Sequence, residues 1–280
     1  MRIEFRYNSS KWICLVCGLI ILSACTTAPY IPADRGPAPG SVDISSVHDA
    51  VPRKEPRSQY GNPVSYVVNG KRYYVMGDEK NFVERGIASW YGEKFHGRTT
   101  SSGEKYDMYA MTAAHKSLPL PSYIEVINLR NGHKVIVRVN DRGPFHENRI
   151  VDLSYTAAAK LDILRDGTGL VEIRSIDPDT FGKNEAENAN KSLQAASNIS
   201  ISKSGFYIQV GAYSELSNAI KMKARLQALE KSLLNINEAS INGQSVYRVR
   251  FGPITDISLA DHIVGNLHFY GVFDHYITID

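Results

Sequence analysis

Titratable side chains that could act on a substrate concentrate in residues 86–152, around the segment Asn140-Asp-Arg-Gly-Pro-Phe145. Asp141 follows a β-branched run that predicts a strand, and it precedes a Gly-Pro turn that would hold its carboxyl group rigidly. Glu104 lies in a Ser-Ser-Gly-Glu-Lys-Tyr sequence, and His115 ends an Ala-Ala-His sequence. Carboxyl groups and a histidine at strand ends and turns can perform the proton transfers that cleave a glycan. The alternative is that Asp141 only caps its turn and that the other two are surface residues.

Short strands that would position these side chains are predicted at close spacing between residues 86 and 177. They are Ile87–Tyr91, Ala110–Ala113, Tyr123–Asn128, Lys134–Asn140, Arg149–Leu153 and Leu170–Ser175. A helix is predicted over Tyr155–Leu161, with Ser154 as its N-cap. Short strands in this number, separated by Gly- and Pro-rich turns, predict a small β-barrel. Ahead of them, residues 60–85 contain Asn69-Gly70 between two strand-like runs, which predicts a hairpin packed on the barrel.

The C-terminal part of the chain predicts a second, smaller domain. Residues 178–203 are rich in Asp, Asn, Lys and Ser and predict a linker. Residues 204–280 then alternate strand and helix patterns, with Ser214 as a helix cap and with a weak internal repeat. This predicts a ferredoxin-like (βαβ)2 domain, so the whole chain is expected to be mainly β with an α+β domain.

Composition and charge limit the classes of partner. The 280 residues are enough for about two domains. Of the formal net charge of +3, residues 1–24 contribute +2, so the remainder is close to neutral. A near-neutral chain lacks the basic footprint of a nucleic-acid-binding protein, and no nucleic-acid partner is expected. The histidines lack metal-ligand spacing and no glycine-rich phosphate motif occurs, so neither a metal nor a cofactor is expected.

The N-terminus has the features of a targeting signal. A basic stretch precedes the apolar run Trp12–Ala24, which is too short to span a hydrocarbon core of about 30 Å. The sequence Leu22-Ser-Ala-Cys25 resembles the lipobox of bacterial lipoproteins. That resemblance implies a signal peptide over residues 1–24 and lipidation (palmitate) of Cys25, which would then be the only cysteine left. An ordinary signal peptide that happens to contain a cysteine is the alternative.

Residues 25–59 are rich in Pro, Ala, Gly, Ser and Asp and show no hydrophobic periodicity. They predict a flexible, lipid-anchored tether between the membrane and the barrel. Thr26, rather than Asp, follows the cysteine. In lipoproteins this implies passage to the outer membrane, so the periplasmic face of that membrane is the expected location.

Motifs in both domains resemble the rare lipoprotein A (RlpA) family. They are Gly86–Gly92, Phe95–Glu104, Ala113–His115, Leu118-Pro119 and Asn140–Phe145 in its barrel, and Phe206–Tyr213 and Tyr247–Pro253 in its SPOR domain. The resemblance implies a six-stranded double-psi β-barrel over residues 86–177 and a SPOR peptidoglycan-binding domain over residues 204–280. It also implies an endolytic lytic transglycosylase that cleaves MurNAc–GlcNAc bonds, forms 1,6-anhydroMurNAc and prefers glycan strands without stem peptides. The SPOR domain would target the enzyme to the division septum.

The implied reaction needs no enzymic nucleophile, because the C6 hydroxyl of MurNAc attacks its own C1. A single carboxyl group can therefore suffice, and Asp141 is expected to be that acid. Glu104 is expected to orient the substrate or the charge of the intermediate, and His115 to form hydrogen bonds near Asp141. Arg142 conflicts with this assignment if its guanidinium lies close, since it would favour the ionised carboxylate; alternation along a strand would point it elsewhere.

Other residues are expected to contact glycan. Trp90 and Tyr91 could stack on sugars, with core packing as the alternative for at least one of them because neighbouring strand residues face opposite ways. The remaining expected contacts are Arg142 in the barrel and Gln209, Tyr213, Tyr247 and Arg250 in the C-terminal domain. The expected partners are denuded peptidoglycan strands, the membrane through the N-terminal lipid, and division-site proteins. A non-catalytic, expansin-like glycan-binding lipoprotein is the alternative function, since double-psi barrels also occur in expansins; a purely structural lipoprotein would leave the polar residues unused.

Overall fold

The computed structural model describes residues 35–37, 43–182, 205–241 and 243–279. The expected signal peptide, Cys25 and residues 183–203 of the expected linker lie outside these ranges. Within them, no helix is both long enough and apolar enough to cross a membrane.

Six strands close into a barrel in the order β3-β7-β4-β6-β5-β8. They are β3 (Val83–Tyr91), β4 (Thr112–His115), β5 (Ser122–Asn128), β6 (Lys134–Asp141), β7 (Arg149–Ser154) and β8 (Thr168–Ile176). The pairs β3/β7 and β4/β6 are parallel and the other pairs are antiparallel. The predicted six-stranded barrel is confirmed, although β4 begins two residues later than predicted.

Strand alternation separates the barrel interior from the site. Ala88, Ile124, Val137, Val151 and Val171 are fully buried and fill the interior. Their strand neighbours point outward, because successive side chains on a strand face opposite sides. Helix α1 (Tyr155–Lys160) follows β7 directly. Its N-cap is the predicted one, since the Ser154 hydroxyl oxygen accepts a hydrogen bond from the Ala157 N–H at 3.2 Å.

The segment before the hairpin lies along the barrel. The Ala50 N–H donates to the Ile136 carbonyl at 3.0 Å, and the Ile136 N–H donates to the Asp49 carboxylate at 2.9 Å. The Ser58 N–H donates to the Leu120 carbonyl at 2.8 Å. The predicted tether is therefore corrected over residues 43–59. Its sequence has no periodicity because its path is set by hydrogen bonds to barrel edges and not by an apolar face of its own.

The hairpin consists of β1 (Ser65–Val68) and β2 (Lys71–Tyr74). Asn69 and Gly70 connect them with φ angles of 49° and 78°, as the turn favoured by Asn-Gly requires. The Tyr66 hydroxyl donates to the Lys116 carbonyl at 2.7 Å, and the Met76 N–H donates to the Ser117 carbonyl at 2.8 Å. The hairpin is thereby attached to the loop that follows β4.

The C-terminal domain forms a four-stranded antiparallel sheet in the order β10-β11-β9-β12. Its elements are β9 (Phe206–Tyr213), α2 (Leu216–Glu230), β10 (Leu234–Ile241), β11 (Gln244–Ile254), α3 (Ile257–Leu267) and β12 (Tyr276–Thr278). Phe206, Leu226 and Phe251 are fully buried between the sheet and the helices. The predicted ferredoxin-like domain is confirmed. The polar strand β10 was not predicted, and the N-cap of α2 is Glu215 rather than Ser214.

Candidate functional site

Four residues form a row across adjacent barrel strands. Asp141 on β6 pairs with Ala114 on β4, Ala114 pairs with Asp152 on β7, and Asp152 pairs with Ser89 on β3. Paired residues project from the same face of a sheet, so two carboxyl groups flank the small methyl group of Ala114. Two strand steps place the Cα atoms of the two aspartates about 10 Å apart. We call these four residues the carboxylate row.

The first carboxyl group of this row, Asp141, is fixed by donors on one oxygen. Its Oδ1 accepts hydrogen bonds from the Ser101 N–H at 2.8 Å, the Ser101 hydroxyl at 2.7 Å and the Arg142 N–H at 2.7 Å. Within the described part of the chain, the other oxygen has no hydrogen-bond partner. Asp141 is half-buried, so a substrate can reach this second oxygen while the first sets its direction.

Glu104 lies beside Asp141, because Ser101 and Glu104 belong to one short loop and Asn140 precedes Asp141 in sequence. The Glu104 carboxylate accepts hydrogen bonds from Arg138 Nη1 at 2.8 and 2.9 Å and from Asn140 Nδ2 at 2.9 Å. It remains 43% exposed. The structure therefore brings Glu104 and Asp141 together, as the sequence predicted.

The orientation of Glu104 depends on the N-terminal segment. Arg138 Nε and Nη2 each donate to the Glu55 carboxylate at 2.9 Å, and the Tyr123 hydroxyl also donates to Glu55. The hydrogen bond from Arg138 lowers the pKa of Glu55 to about 2. Arg138 thus links two carboxylates, and the residues expected to be a tether contribute one of them.

His115 is buried and points away from Asp141. Its Nδ1 accepts hydrogen bonds from the Ser117 N–H at 3.2 Å and the Leu118 N–H at 3.0 Å, so Nε2 carries the proton and faces Glu84 Oε2 at 3.3 Å. Burial lowers the pKa of His115, against the opposing effect of Glu84, and so favours the neutral ring. The expected hydrogen bonding near Asp141 is therefore corrected: the ring organises the loop after β4.

Arg142 also points away from the Asp141 carboxylate. Its guanidinium donates to the carbonyl oxygens of Gly61 at 2.8 Å, Leu118 at 2.5 Å and His115 at 3.2 Å, and to Asn62 Oδ1 at 3.2 Å. Burial lowers the pKa of Arg142, against the opposing effects of Tyr66 and Asp141. Arg142 holds the walls of the site together, which corrects its expected role as a substrate contact.

The two aromatic residues predicted to stack on sugars differ in burial. Tyr91 is buried and stacks on Tyr106, with ring centroids 4.0 Å apart and an interplanar angle of 21°. This corrects its expected role as a sugar platform and supports the core-packing alternative. Trp90 is half-buried and packs edge-on against Tyr155 at 5.9 Å.

Different aromatic rings border the Asp141 turn. Tyr66 and Tyr73 pair across the hairpin and stack with centroids 5.4 Å apart. Phe145 ends the Asp141 turn and lies 5.6 Å from Tyr73 and 6.2 Å from Tyr66. Phe145 is 36% exposed, so this cluster forms an apolar wall beside the site. The signal in the sequence was the position of the two tyrosines on either side of Asn69-Gly70, which puts them opposite each other.

The residues expected to contact glycan in the C-terminal domain fall into two pairs. Gln209 and Arg250 are 5% and 4% exposed, and Arg250 Nε donates to Gln209 Oε1 at 3.1 Å. This corrects the expectation that both are exposed to a glycan. Tyr213 and Tyr247 pair across β9 and β11 and are half-buried.

Asp152, the second carboxyl group of the carboxylate row, was missed by sequence reasoning. Its Oδ1 accepts a hydrogen bond from the Ser89 hydroxyl. A Cβ atom at Gly143 would lie 3.6 Å from Asp152 Oδ2 and 3.7 Å from Ala114 Cβ, so the Asp141 turn passes directly over the row. Burial raises the pKa of Asp152, partly offset by the hydrogen bond from Ser89. The available signal was a lone carboxylate inside the apolar strand Ile-Val-Asp-Leu.

Two family models match this chain: one described as "Lytic transglycolase" over residues 83–173 and one described as "SPOR domain" over residues 202–273. The endolytic peptidoglycan transglycosylase RlpA of Pseudomonas aeruginosa is 38% identical over 313 residues, covering 89% of this chain and 91% of the relative. The RlpA of Vibrio cholerae is 38% identical over 251 residues, covering 88% of each chain. Among solved structures, the RlpA SPOR domain from Pseudomonas aeruginosa is 25% identical, with a TM-score of 0.26, and covers 27% of this chain and 100% of that one.

Proposed function

Because this chain belongs to the RlpA family of endolytic peptidoglycan transglycosylases, we propose that it cleaves MurNAc–GlcNAc bonds within peptidoglycan and leaves 1,6-anhydroMurNAc ends. The observation that supports this most directly is that Asp141 and Glu104 lie close together, each held by its own hydrogen bonds. One carboxyl group has a free oxygen and a fixed direction, and an anchored carboxylate lies beside it. Holding two carboxyl groups close together costs free energy, and a protein that only binds glycan would not need this arrangement.

The reaction contains two proton transfers. The oxygen that leaves C1 of MurNAc must gain a proton, and the C6 hydroxyl that attacks C1 must lose one. Because the nucleophile belongs to the substrate, correct orientation replaces an enzymic nucleophile. Asp141 takes part in these transfers through its free oxygen, and one carboxyl group can serve both in succession.

In this proposal Glu104 transfers no proton; it stabilises the positive charge that develops on the sugar. Positive charge develops on the sugar ring as the C1–oxygen bond breaks. A carboxylate stabilises such charge only if it is already in place, since reorientation during the reaction would cost free energy. The bidentate contact with Arg138 and the hydrogen bond from Asn140 supply this fixing.

The other residues organise the walls and the glycan contacts. His115 and Arg142 fix the loop after β4, which carries the hairpin and borders Asp141. Tyr213 and Tyr247 in the SPOR domain provide aromatic surface for sugars, whereas Trp90 packs against the barrel core. The SPOR domain binds strands whose stem peptides have been removed and so concentrates the enzyme at the division septum. Lipidation of Cys25 holds the protein in the cell envelope, at the periplasmic face of the outer membrane.

The test is Asp141→Asn in the full-length protein, acting on purified denuded sacculi. Release of anhydro-muropeptides should fall by at least about 100-fold, because general acid–base catalysis contributes about that much or more. Asp166→Asn, at an exposed aspartate on a distant turn, should release products at the wild-type rate. If the wild-type protein binds denuded sacculi and releases no anhydro products, the chain is a non-catalytic glycan-binding protein. If Asp141→Asn is as active as wild type, Asp141 has no part in the proton transfers.

A further inference from the structure

We propose that Tyr60, in the segment before the hairpin, is an aromatic platform on which a sugar ring of the glycan strand stacks beside Glu104. This inference rests on the proposed transglycosylase function and deepens it, since it names a substrate contact in the barrel domain. Tyr91 is buried and Trp90 packs against the barrel core, so neither ring that the sequence predicted for this role supplies such a surface. Tyr60 is 61% exposed.

Tyr60 lies against the loop that carries Glu104. A Cβ atom at Gly103 would lie 3.2 Å from Tyr60 Cδ2 and 3.8 Å from Tyr60 Cε2, so one edge of the ring rests on the backbone next to Glu104. Gly103 has a φ angle of 93°, which favours glycine, and its missing side chain leaves room for the ring. A sugar on the exposed part of the ring would therefore lie next to the carboxylate that the proposed reaction uses to stabilise charge.

Gly61 connects the ring to Asp141 as well. Its carbonyl oxygen accepts a hydrogen bond from Arg142 Nε at 2.8 Å, and a Cβ atom at Gly61 would lie only 2.7 Å from the Ser101 carbonyl oxygen. Ser101 and Arg142 are the two residues whose N–H groups donate to Asp141 Oδ1. The backbone at Tyr60 and Gly61 is therefore packed on the same residues that fix the direction of the Asp141 carboxyl group.

Hydrogen bonds hold the backbone around Tyr60 in one place. The Tyr60 N–H donates to Ser58 Oγ at 3.3 Å, and the Ser58 hydroxyl donates to the Ser102 carbonyl at 2.8 Å. Asn62 Nδ2 donates to the carbonyl oxygens of Leu120 at 2.7 Å and Ser58 at 3.0 Å, and Asn62 Oδ1 accepts from the Leu120 N–H at 2.8 Å. A ring on a fixed backbone loses little conformational freedom when it binds a ligand, which favours affinity.

The Tyr60 ring contributes little to the stability of the barrel. Single exposed aromatic residues are common on protein surfaces, so exposure alone assigns no role. Within the described ranges, however, the Tyr60 hydroxyl has no hydrogen-bond partner and the ring belongs to no apolar core cluster. The fold therefore orders this segment and still leaves an amphipathic ring in water beside the site. Such a ring suits the apolar face and the hydroxyl edge of a pyranose.

The same segment borders space for adjoining sugars. An open cavity of about 510 Å³ lies between residues 47–53 and the barrel, within the range of about 300–1,000 Å³ that ligand pockets occupy. Arg138 lines this cavity and donates to Glu104, so contacts run from the cavity through Glu104 to the loop under Tyr60. An enzyme that cleaves within a strand must hold several consecutive sugars, and the N-terminal segment thus forms one wall of their groove.

The first test is the kinetics of Tyr60→Ala in the full-length protein on soluble denuded glycan oligomers. Loss of the ring should raise KM about tenfold and leave kcat within about twofold of wild type, because stacking binds the substrate and the transition state alike. Tyr60→Phe keeps the ring and should restore KM to within about threefold of the wild-type value. Tyr74→Ala removes a tyrosine that is 65% exposed on the hairpin and should have the wild-type KM.

Three kinetic outcomes would overturn this assignment. An unchanged KM for Tyr60→Ala would mean that the ring does not bind substrate. A loss confined to kcat would mean that Tyr60 only supports the loop that carries Glu104. A Tyr60→Phe variant as impaired as Tyr60→Ala would mean that the hydroxyl group, and not the ring, makes the contact.

Tyr60→Trp supplies a second measurement that does not depend on cleavage. The natural sequence contains two tryptophans, Trp12 and Trp90, so the wild-type protein provides the background emission. Stacking of a sugar on the new indole should move its emission to shorter wavelength when denuded oligomers are added. Tyr74→Trp should show no such change.

The emission measurement separates failure of this inference from failure of the proposed function. If the wild-type protein releases no anhydro products but the emission of Tyr60→Trp shifts with oligomer, the proposed function fails and the glycan contact stands. If the wild-type protein is active and the emission does not shift, the function stands and Tyr60 does not contact glycan.

Discussion

The polar side chains of the carboxylate row and those of the SPOR sheet differ in how fully they are hydrogen-bonded within the protein. In the carboxylate row, each aspartate has one oxygen held by donors and a second oxygen without a protein partner in the described structure. In the SPOR sheet, Gln209 accepts from Arg250 and donates to the Tyr276 hydroxyl at 3.0 Å, so both side chains are paired within the sheet. A reacting group must keep a free atom in a fixed direction, whereas a sheet that binds a repeating polymer needs mainly a stable shape and aromatic surface.

A second difference lies in what holds each region. Glu104 in the barrel depends on Arg138, which depends in turn on Glu55 in a segment outside the sheet. In the SPOR domain, Phe206 and Phe251 belong to an apolar core that also includes Ile87, Leu129 and Leu170 of the barrel. The site in the barrel is therefore sensitive to changes in a segment that looks dispensable in sequence, whereas the SPOR core depends on apolar packing.

The largest effect after loss of the carboxyl groups should come from Arg138→Met. It leaves two carboxylates without their cation, so Glu104 loses its orientation and the charges repel each other. We expect product release from denuded sacculi to fall about 10- to 100-fold and the free energy of unfolding to fall by about 2 kcal/mol, because the pair is only partly buried. Product release and chemical denaturation measure the two effects. Arg165→Met, at an exposed ion pair, is the matched control; equal losses in both variants would show that Arg138 has no special role.

Replacement of both Tyr213 and Tyr247 by alanine tests whether the SPOR domain supplies glycan binding separately from cleavage. Loss of these two aromatic rings should weaken binding of the full-length protein to denuded sacculi by about tenfold, while cleavage of short soluble glycan oligomers stays at the wild-type rate. Co-sedimentation and oligomer cleavage separate the two functions. Phe269→Ala removes an exposed ring elsewhere in the same domain and should bind normally. A drop in oligomer cleavage with binding intact would reverse the assignment of roles.

The smallest effect should come from Glu55→Gln, which measures how much the N-terminal segment contributes to the stability of the barrel. The folded-state pKa of Glu55 is lowered from 4.5 to about 2, so its carboxylate stabilises the fold above pH 4.5 and loses this effect as the pH falls toward 2. At pH 7 the variant should be less stable by about 1 kcal/mol, a value reduced by solvent screening. Denaturation at several pH values should show the difference from wild type shrinking below pH 4.5. A difference that is constant with pH would mean that the ionised pair does not stabilise the fold.

Sequence patterns were sufficient for elements defined by local chemistry. The six barrel strands, the Asn69-Gly70 turn and the Ser154 cap follow from alternation, turn preference and capping, all of which act within a few residues. The closeness of Glu104 and Asp141 was also expected. The path of residues 43–59 was not, because irregular segments that follow a surface through hydrogen bonds leave no periodic signature.

Side-chain direction was the part that sequence could not supply. His115 and Arg142 have the residue types of a catalytic site, yet both use their hydrogen bonds to hold backbone oxygens and N–H groups of neighbouring loops. Gln209 and Arg250 look like surface residues of a strand, yet the structure buries them. Asp152 looks like an interruption of a core strand, and its place beside Asp141 depends on a strand order that sequence does not state.

The sequence by itself determined the two domains, the barrel strands and the acidic turn at Asp141, since each depends on short-range patterns of burial and turn geometry. Only the tertiary structure decided which polar groups face one another. Strand pairing across β6, β4, β7 and β3 brings together residues that are far apart in sequence, and burial then raises the pKa of Asp152. Both effects arise from contacts between elements, which no local pattern encodes.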